Sequence, residues 1–359
     1  MKLSLTCPNG PYDLNIRYRG NKILSAQSSF GYCERNIINQ IKSLSVLKAI
    51  PFIERIDPYS WQHYSLCFCT LIEQALNIQE DRKLCNIRTI LMELERILSH
   101  SYYIKTTISC SQNIVLHNLI MGIKDSVLDI SEEITGRRVY AASNYFGGLN
   151  FSVSHGNIKL IEKTCAKIKK DLQEFYDIFF ENPSMLSLFN NQATINNKTA
   201  TKMTGPLSWI NSDVQDLRLT DPYWGYQDNE VRKISSRKYK ADTNCIYTRS
   251  LSIINDVNNS LDIIATIISR NDIIYTKKDK LSDSFSPKAG NYSQRIEAPR
   301  GLLAMTIHIG EKLNIEKLSI KTPSETNDAA VSDALNGCNI EQVDLGFKSL
   351  YLSPMEIDK

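Results

Sequence analysis

Residues 87–100, with the sequence IRTILMELERILSH, decide the fold class, because they form the clearest helical pattern in a chain of 359 residues. Apolar side chains recur here at three- and four-residue steps, the spacing that places them on one helix face. The stripe consists of Leu84, Ile87, Leu91, Leu94 and Leu98. Asp81 precedes it and is a suitable side-chain cap. We therefore predict a helix over residues 84–101 that buries this stripe in a helical core.

A second stripe of the same helix is polar. Glu93, Arg96 and His100 stand at i, i+3 and i+7, so they share one face. A solvated or fully satisfied polar face explains such a pattern, and a functional polar network inside the protein is the alternative. The spacing alone leaves both interpretations open.

The first thirty residues have a different pattern, because short extended segments alternate there with turn residues. Asn9-Gly10-Pro11 and Gly20-Asn21 are typical of tight turns. We predict strands over 3–7, 14–18 and 23–28. Helical periodicity returns after Gly31, and further helices are predicted over 35–47, 60–76, 114–135, 157–180 and 230–270.

The remaining segments are less regular. Residues 181–228 are rich in Asn, Ser, Thr, Pro and Gly, which predicts irregular chain with short strands, and the polar stretch 277–294 predicts a loop. The tail predicts strands over 302–309 and 318–322 and a helix near 328–335. We thus expect a mainly helical α+β fold that forms one continuous functional unit. Its parts are an N-terminal β subdomain (1–30), a helical core (31–275) with an irregular insertion near 181–228, and a polar loop followed by a C-terminal β/α part (276–359).

Composition excludes several functional classes. Hydrophobic residues make up 42% and charged residues 23%, with a net charge of +3, so no strong field favours nucleic acid. No apolar run approaches the roughly 18 residues that span a bilayer. Residues 1–9 lack the pattern of a signal or transit peptide, so we expect the chain to work in the compartment where it is made. The nine cysteines include no C-x-x-C pair, which argues against a zinc site or a disulfide framework.

Searches for general catalytic motifs find no phosphate loop, no G-x-G-x-x-G after a strand, no H-E-x-x-H and no G-x-S-x-G. Six segments nevertheless resemble, in order, the blocks shared by the quinone-site subunit of respiratory complex I and the large subunits of nickel–iron hydrogenases. They are IERIDPYS (53–60), LIEQALNI (71–78), IRTILMELERILSH (87–100), TGRR (135–138) with Asn144 and Gly147-Gly148, TGP (204–206) with DLR and DPY (216–218, 221–223), and EAPRG (297–301). The ending EIDK (356–359) resembles the family's E-V-D-R. The resemblance covers essentially the whole chain and implies a hydrogenase large-subunit-like helical bundle.

The positions of the metal-binding cysteines decide between the two branches. Hydrogenases hold nickel and iron with four thiolates, from R-I-C-G-I-C and D-P-C-x-x-C, because these soft metals need soft ligands. Here the first pair is replaced by Asp57 and Ser60, and the second falls near Ser353 and Glu356. Asp57 and Ser60 also match R-L-D-Y-V-S of the complex I branch. The sequence therefore predicts no metal site.

The resemblance to the complex I branch implies a function, that of an NADH–quinone oxidoreductase. The chain would line a quinone-binding cavity beside the iron–sulfur cluster of a neighbouring subunit, and quinone reduction would be coupled to proton translocation. It would bind no cofactor of its own, with quinone as the substrate and NADH oxidised elsewhere in the complex. Expected partners are the B-like iron–sulfur subunit, other hydrophilic-arm subunits and the membrane-arm quinone-channel subunit. It would lie peripherally on the cytoplasmic face of a bacterial inner membrane, or on the matrix face of the mitochondrial inner membrane.

Site residues follow from matching positions. The family's quinone-site tyrosine directly follows the aspartate; here Pro58 stands there, and Tyr59 is expected to take its role. The family's second ligand is a histidine in H-P-A-A-H-G, where this chain offers Asp13 or Tyr12 instead. We therefore name Tyr59 and Asp13 as candidate catalytic residues. The candidate quinone-binding residues are Asn9, Gly10, Tyr12, Asp57 and Ser60.

Two further groups take roles from the resemblance. Arg35 matches the arginine of H-R-G-x-E-K, which lies near the partner's iron–sulfur cluster. Glu93, Arg96 and His100 match the family's helix and are expected to form a core polar network. Two alternatives to the quinone-site function stay open: a divergent hydrogenase-related or complex I-like membrane complex with another electron acceptor, and a non-catalytic scaffold.

Overall fold

The computed structural model describes residues 1–7, 9–42, 44–79, 81–270, 273–277, 287–310 and 314–359. Fifteen helices within these residues are α1 (Ile37–Lys42), α2 (Val46–Glu54), α3 (Trp61–Ala75), α4 (Arg82–Ile108), α5 (Ile114–Thr135), α6 (His155–Phe180), α7 (Pro183–Phe189), α8 (Asn197–Ala200), α9 (Leu217–Thr220), α10 (Asn229–Ser235), α11 (Ile246–Arg270), α12 (Pro323–Asn327), α13 (Ala330–Leu335), α14 (Val343–Lys348) and α15 (Pro354–Ile357). Short 3-10 helices occur at Ser109–Ser111, Trp224–Gln227 and Ile340–Gln342.

The strands form three antiparallel sheets in the described residues. The first contains β1 (Lys2–Cys7), β2 (Gly10–Arg19) and β3 (Lys22–Ser29); the second contains β4 (Asn144–Tyr145) and β5 (Gly148–Leu149); and the third contains β6 (Gly290–Ala298), β7 (Gly301–Ile309) and β8 (Ile315–Lys321). Each sheet keeps its strands in sequence order. Such up-and-down meanders form from neighbouring segments and leave the centre of the molecule to the helices.

Helix α4 is the centre of the helical core. It packs against α5 and α11 and also contacts α3. Asp81 caps it, because its side chain accepts a hydrogen bond of 3.1 Å from the backbone N–H of Lys83. Most of its side chains are buried, polar ones included. A central helix of this kind must pair its polar groups internally, since water does not reach them.

The predicted mainly helical α+β fold is confirmed. The predicted helix over 114–135 has the observed bounds, and the predicted helix over 84–101 lies inside the longer α4. The helix predicted over 35–47 is two helices, α1 and α2. The one predicted over 230–270 is also two, α10 and α11, because residues 236–245 between them are not helical.

The irregular stretch and the loop differ from the prediction in detail. Residues 181–228 contain the short helices α7, α8 and α9, and no described strand lies among them. Of the loop predicted over 277–294, residues 278–286 lie outside the described residues. The segment from Gly290 onward is strand β6, whose outward face is polar and whose last residues are buried. Among the described residues, none of the helices has both the length and the apolar character needed to cross a bilayer.

Candidate functional site

One buried cluster contains Asp57, Ser60, Ser353 and Glu356, the residues that the sequence resemblance places at or near the positions of the hydrogenase metal-binding cysteines. Nη1 of Arg300 donates to Oδ2 of Asp57 (2.8 Å), to Oγ of Ser60 (3.2 Å) and to Oε1 of Glu356 (3.2 Å). Oγ of Ser353 donates to Oδ1 of Asp57 (2.8 Å). All five side chains are buried. The predicted replacements for the thiolates therefore meet in space, and a guanidinium lies between them.

This donor set is unsuited to soft metals. Carboxylate and hydroxyl oxygens are hard ligands, and the guanidinium supplies only hydrogen-bond donors. Across the described ranges, no three side chains of His, Cys, Asp or Glu come together as a metal ligand set. What the cluster offers is a fixed positive group held by two carboxylates.

Two glycine turns fix the position of Arg300. Gly205 (φ +77°) and Gly301 (φ +133°) pack backbone against backbone, since a Cβ added to Gly205 would lie 2.3 Å from the carbonyl oxygen of Arg300. A Cβ added to Gly301 would lie 2.3 Å from Oγ1 of Thr204. Both positions also need a conformation that favours glycine. The segments TGP and EAPRG thus interlock at this point, and their contact aims Arg300 at Asp57.

A cleft opens beside the cluster. It is lined by the side chains of Cys7, Asn9, Tyr59, Tyr102, Tyr103, Thr106, Arg300, Phe347, Lys348, Tyr351 and Leu352. Five of these eleven residues are aromatic, and the guanidinium of Arg300 lies over the ring of Tyr351 at 4.9 Å from its centroid. The cavity volume is about 30 Å³, room for about two water molecules. The cleft is therefore narrow and rich in aromatic residues, with two cationic side chains, Arg300 and Lys348, in its lining.

Tyr59 lies at the junction of cluster and cleft. Its backbone N–H donates to Oδ2 of Asp57 (3.2 Å), and its ring packs on that of Tyr102 with a centroid separation of 3.6 Å. Burial raises the pKa of Tyr59 above its ordinary value, so the hydroxyl keeps its proton at neutral pH. A protonated phenol can donate a hydrogen bond to an oxygen acceptor in the cleft. The shift of the tyrosine by one residue, caused by Pro58, still leaves a donor here.

The predicted quinone-binding residues of the N-terminal turn lie near the cluster. Asn9 lines the cleft, and its Nδ2 lies 3.5 Å from Oδ1 of Asp57. Gly10 has φ +121°, and Sγ of Cys33 lies 2.2 Å from where its Cβ would be. Tyr12 lies behind the cleft wall, because its ring stacks on Phe347 at 3.8 Å. Of these three residues, only Asn9 is in the lining itself.

Asp13 is placed elsewhere. It follows Tyr12 on β2, so its side chain is on the opposite face of the sheet. Its carboxylate bonds to Nζ of Lys2 (2.7 Å), to the hydroxyl of Tyr32 (2.6 Å) and to Oγ of Ser4 (2.7 Å). These bonds, that of Lys2 first, lower the pKa of Asp13 to about 2. The structure therefore does not bring Asp13 together with Tyr59 at the cleft.

Arg35 connects the loop after β3 to the residues directly before Asp57 of the buried cluster. Its guanidinium donates to the carbonyl oxygens of Cys33 (3.2 Å), Ile56 (3.0 Å) and Arg55. Its Nη2 also approaches the carbonyl oxygen of Met355 at 3.4 Å. The side chain is half-buried. It thus anchors the backbone directly before Asp57 while one side stays accessible.

Glu93, Arg96 and His100 lie together inside the core. Nε of Arg96 donates to Oε2 of Glu93 (3.2 Å), and Nε2 of His100 lies 3.0 Å from Oδ2 of Asp256. Nδ1 of His100 lies 3.1 Å from the hydroxyl of Tyr351, which lines the cleft. Burial lowers the pKa of His100, which keeps the imidazole neutral at pH 7. The polar stripe of α4 is therefore internal, and one hydrogen bond joins it to the cleft.

Sequence reasoning missed Arg300. Its segment EAPRG matches a family block, but the motif assigns no role to the arginine. A signal is present, because an arginine flanked by proline and glycine at a tight turn is placed rigidly. Its partners come from residues more than 50 positions away on either side. The sequence pattern around Arg300 therefore does not predict these long-range contacts.

Comparisons with known proteins identify similar chains. Residues 115–280 match the family model described as "Respiratory-chain NADH dehydrogenase, 49 Kd subunit". A subunit of the NADH-quinone oxidoreductase of Desulfitobacterium hafniense is 23% identical, with 98% of this chain and 94% of that protein covered. The corresponding subunit of Campylobacter curvus is 22% identical, with coverages of 98% and 91%. A subunit of the F(420)H(2) dehydrogenase of Methanosarcina mazei is also 22% identical, over 82% of this chain and 80% of its own length.

A solved structure shares the fold. A chain of the membrane-bound sulfane sulfur reductase, an archaeal respiratory membrane complex, superposes with a TM-score of 0.89 at 18% identity and covers 97% of this chain and 94% of its own length. The resemblance to the complex I branch that the six sequence blocks predict is confirmed. The shared fold extends over almost the entire chain.

Proposed function

We propose that this chain is the quinone-site subunit of a complex I-type NADH–quinone oxidoreductase. It works only as part of that multisubunit enzyme, where electrons pass from NADH to quinone and the reaction is coupled to proton translocation. The observation that carries the proposal is the convergence of Asp57, Ser60 and Glu356 on Arg300, beside a tyrosine-lined cleft. Ser353 completes the cluster through its hydrogen bond to Asp57. The former metal space has become a polar end wall for an aromatic cavity.

The chemistry of the cleft suits a quinone headgroup. A quinone has a flat ring, which packs on aromatic side chains, and two carbonyl oxygens, which accept hydrogen bonds. The rings of Tyr59, Tyr102 and Tyr351 supply the first kind of contact. Tyr59 and Arg300 supply donors for the second. The chain provides position and hydrogen bonds, while the electrons arrive from an iron–sulfur cluster on a neighbouring subunit.

The cleft is narrow, with a cavity volume of about 30 Å³. In this proposal, entry of the ring displaces one side chain of the lining. Tyr102 is the best candidate, because it is only partly buried and its ring lies directly against that of Tyr59. Rotation of Tyr102 away from Tyr59 would expose the face of the Tyr59 ring that Tyr102 now covers. The flat quinone headgroup would then pack on Tyr59 in place of the Tyr102 ring.

The partner surface includes Arg35, beside the end of α2. In this proposal the neighbouring subunit that carries the iron–sulfur cluster binds there, close to Asp57 and the inner end of the cleft. Other hydrophilic-arm subunits and a membrane-arm partner complete the cavity on its outer side. The complex then holds the chain peripherally at the inner face of the energy-coupling membrane, the cytoplasmic face in a bacterium.

Tyr59→Phe in the source membranes tests this function. The change removes one hydroxyl and keeps the ring, so assembly on a native gel should stay normal. NADH–quinone reductase activity should fall by about tenfold or more, the range expected for a lost transition-state hydrogen bond. Tyr176→Phe, an exposed tyrosine on α6, is the matched control and should keep full activity.

The opposite outcome is equally informative. Normal assembly together with unchanged quinone reductase activity in Tyr59→Phe would remove Tyr59 from the reaction. The chain would then act as a scaffold for the subunit that carries the iron–sulfur cluster, or belong to a complex with a different electron acceptor.

A further inference from the structure

Along one edge of the Arg300 guanidinium, no hydrogen bond to another of the described residues is present. A guanidinium carries five N–H donors in a fixed plane, and the hydrogen bonds described for Arg300 all start from Nη1. Its Nε is buried and has no partner within the described residues. Nη2 takes part in none of the hydrogen bonds described for this side chain. Nε–H and one Nη2–H point in the same direction, so they form the fork that binds oxygen acceptors at two points.

The position of this edge points to a ligand. Buried donors are almost always satisfied, because an unpaired one is costly. Arg300 is only 3% exposed, yet it lines the cleft with Asn9 and Tyr59. Its other side is held by Asp57 and Glu356, so it cannot turn to find another acceptor. An oxygen that enters the cleft would complete its hydrogen bonding.

We propose that the Nε–Nη2 edge of Arg300 binds one oxygen of the quinone headgroup and stabilises the negative charge that develops there on reduction. This inference rests on the proposed function. The quinone gains two electrons from the partner's iron–sulfur cluster and two protons to become the quinol. Arg300 supplies neither, since arginine stays protonated. It holds the oxygen after the first electron arrives, and protons come from hydroxyl donors or water in the cleft.

The surrounding charges allow this role. Asp57 and Glu356 both accept from Nη1, while the unpaired Nε lies on the other edge of the guanidinium. A negative oxygen on the Nε–Nη2 edge is therefore separated from these two carboxyl groups by the guanidinium itself. Lys348 at the cleft wall is the other cation, but its Nζ is paired with Asp344 at 2.5 Å. Arg300 is therefore the lining cation that lies directly beside Asp57, whereas Lys348 is paired with Asp344.

The test uses two probes of nearly the same shape in the purified complex. One is 2-hydroxy-1,4-naphthoquinone, which is an anion at neutral pH; the other is its neutral methyl ether. Binding of each is measured by equilibrium dialysis, with displacement by the substrate quinone as proof of the site. The wild-type complex should bind the anion about tenfold more tightly than the ether, as charge-assisted hydrogen bonds are stronger. Equal affinities would overturn the inference.

Three variants test whether Arg300 is the residue responsible for the preference for the anion over the ether. Arg300→Lys keeps the charge but loses the fork, and should reduce the preference to about threefold or less. If this variant fails to assemble, Asn9→Asp serves instead, because a second carboxylate on the cleft lining should weaken binding of the anion about tenfold more than binding of the ether. Lys348→Gln is the matched control and should keep the full preference. A preference that is lost in Lys348→Gln and retained in Arg300→Lys would assign it to Lys348 and refute the inference.

The two proposals fail in different ways. If neither probe binds, or the substrate quinone displaces neither, the cleft does not take quinones and the proposed function itself fails. If the ether binds and is displaced but the anion has no advantage, only the role of Arg300 is lost.

Discussion

Nη1 of Arg300 lies 2.8 Å from Oδ2 of Asp57, although 243 positions separate the two residues in the chain. Both side chains are buried. A buried ion pair contributes most when its geometry is fixed and its remaining hydrogen bonds are satisfied. Here Ser353 and Ser60 add hydrogen bonds around the pair, so the site depends on several segments being in register.

The interlocked glycines give a first prediction, on stability. Gly205→Ala should lower the melting temperature of the purified protein strongly, because the new Cβ would lie 2.3 Å from the backbone of Arg300. We expect a loss of about 3 kcal/mol or more. Gly136→Ala is the matched control, since Gly136 has nearly the same φ of +76° but nothing within 4 Å of its added Cβ. It should cost only about 1 kcal/mol. Equal losses would mean that φ alone decides.

A second prediction concerns the buried pair of Arg88 and Glu73, which are joined by two hydrogen bonds of 3.0 Å and 2.6 Å. Arg88→Met should destabilise the fold by about 3–5 kcal/mol in chemical denaturation, because Glu73 keeps a buried charge without its guanidinium. Arg138→Met removes an exposed ion pair with Asp129 and should cost at most about 1 kcal/mol. Similar losses in both variants would contradict the prediction.

Glu54 gives a prediction on pH dependence. Its side chain is buried, and burial raises its pKa from 4.5 to about 7. The folded state therefore holds this proton more tightly than the unfolded state, and the resulting stability is complete below about pH 4.5 and lost as pH rises through 7. Glu54→Gln cannot titrate. Its stability relative to the wild type should increase by about 1.4 kcal/mol between pH 6 and pH 8.

The measurement is denaturant unfolding at both pH values. Glu133→Gln, an exposed glutamate on α5, is the control and should give the same difference from the wild type at each pH. A Glu54→Gln difference that does not change with pH would show that the carboxyl group is ionised throughout.

Asp13 gives a prediction on activity. Because its pKa is held near 2 by Lys2, Tyr32 and Ser4, its carboxylate stays ionised across the neutral range in which such an enzyme is assayed. Asp13→Asn should therefore leave the shape of the pH–activity profile unchanged, even if the protein is less stable. A shifted profile in the assembled complex would identify Asp13 as a proton donor after all.

Helical periodicity is a good guide to the long elements of the fold. The apolar stripe beginning at Leu84 predicts most of α4, because a helix that packs on several neighbours needs such a stripe. Strand β6 is missed since its first residues alternate between half-buried and exposed positions and are polar, which resembles a loop. The break between α10 and α11 is missed too, because apolar residues continue at helical spacing on both sides of it.

The sequence predicts the site residues that lie in a matched motif. It does not predict residues whose placement depends on contacts between distant segments. The matched motifs point to Asp57 and Ser60, which lie in the cluster. The orientation of Asp13 depends on the register of β1 and β2, which moves neighbouring side chains to opposite faces. The role of Arg300 depends on the packing of Gly205 against Gly301. A single sequence contains neither kind of information.

The buried cluster around Asp57 and Arg300 combines early and late segments of the chain, so it is completed in a fixed order during synthesis. Asn9 and Asp57 leave the ribosome long before Ser353 and Glu356, and at about 5–20 residues per second the delay is roughly tens of seconds. Until the last turn is in place, the carboxylate of Asp57 lacks the hydroxyl that Ser353 donates to it. A nascent chain thus carries an unfinished, charged interior. Closure of that interior by α15 has to wait until Ser353 and Glu356 have left the ribosome, so the neighbouring subunits meet a finished end wall only after that point.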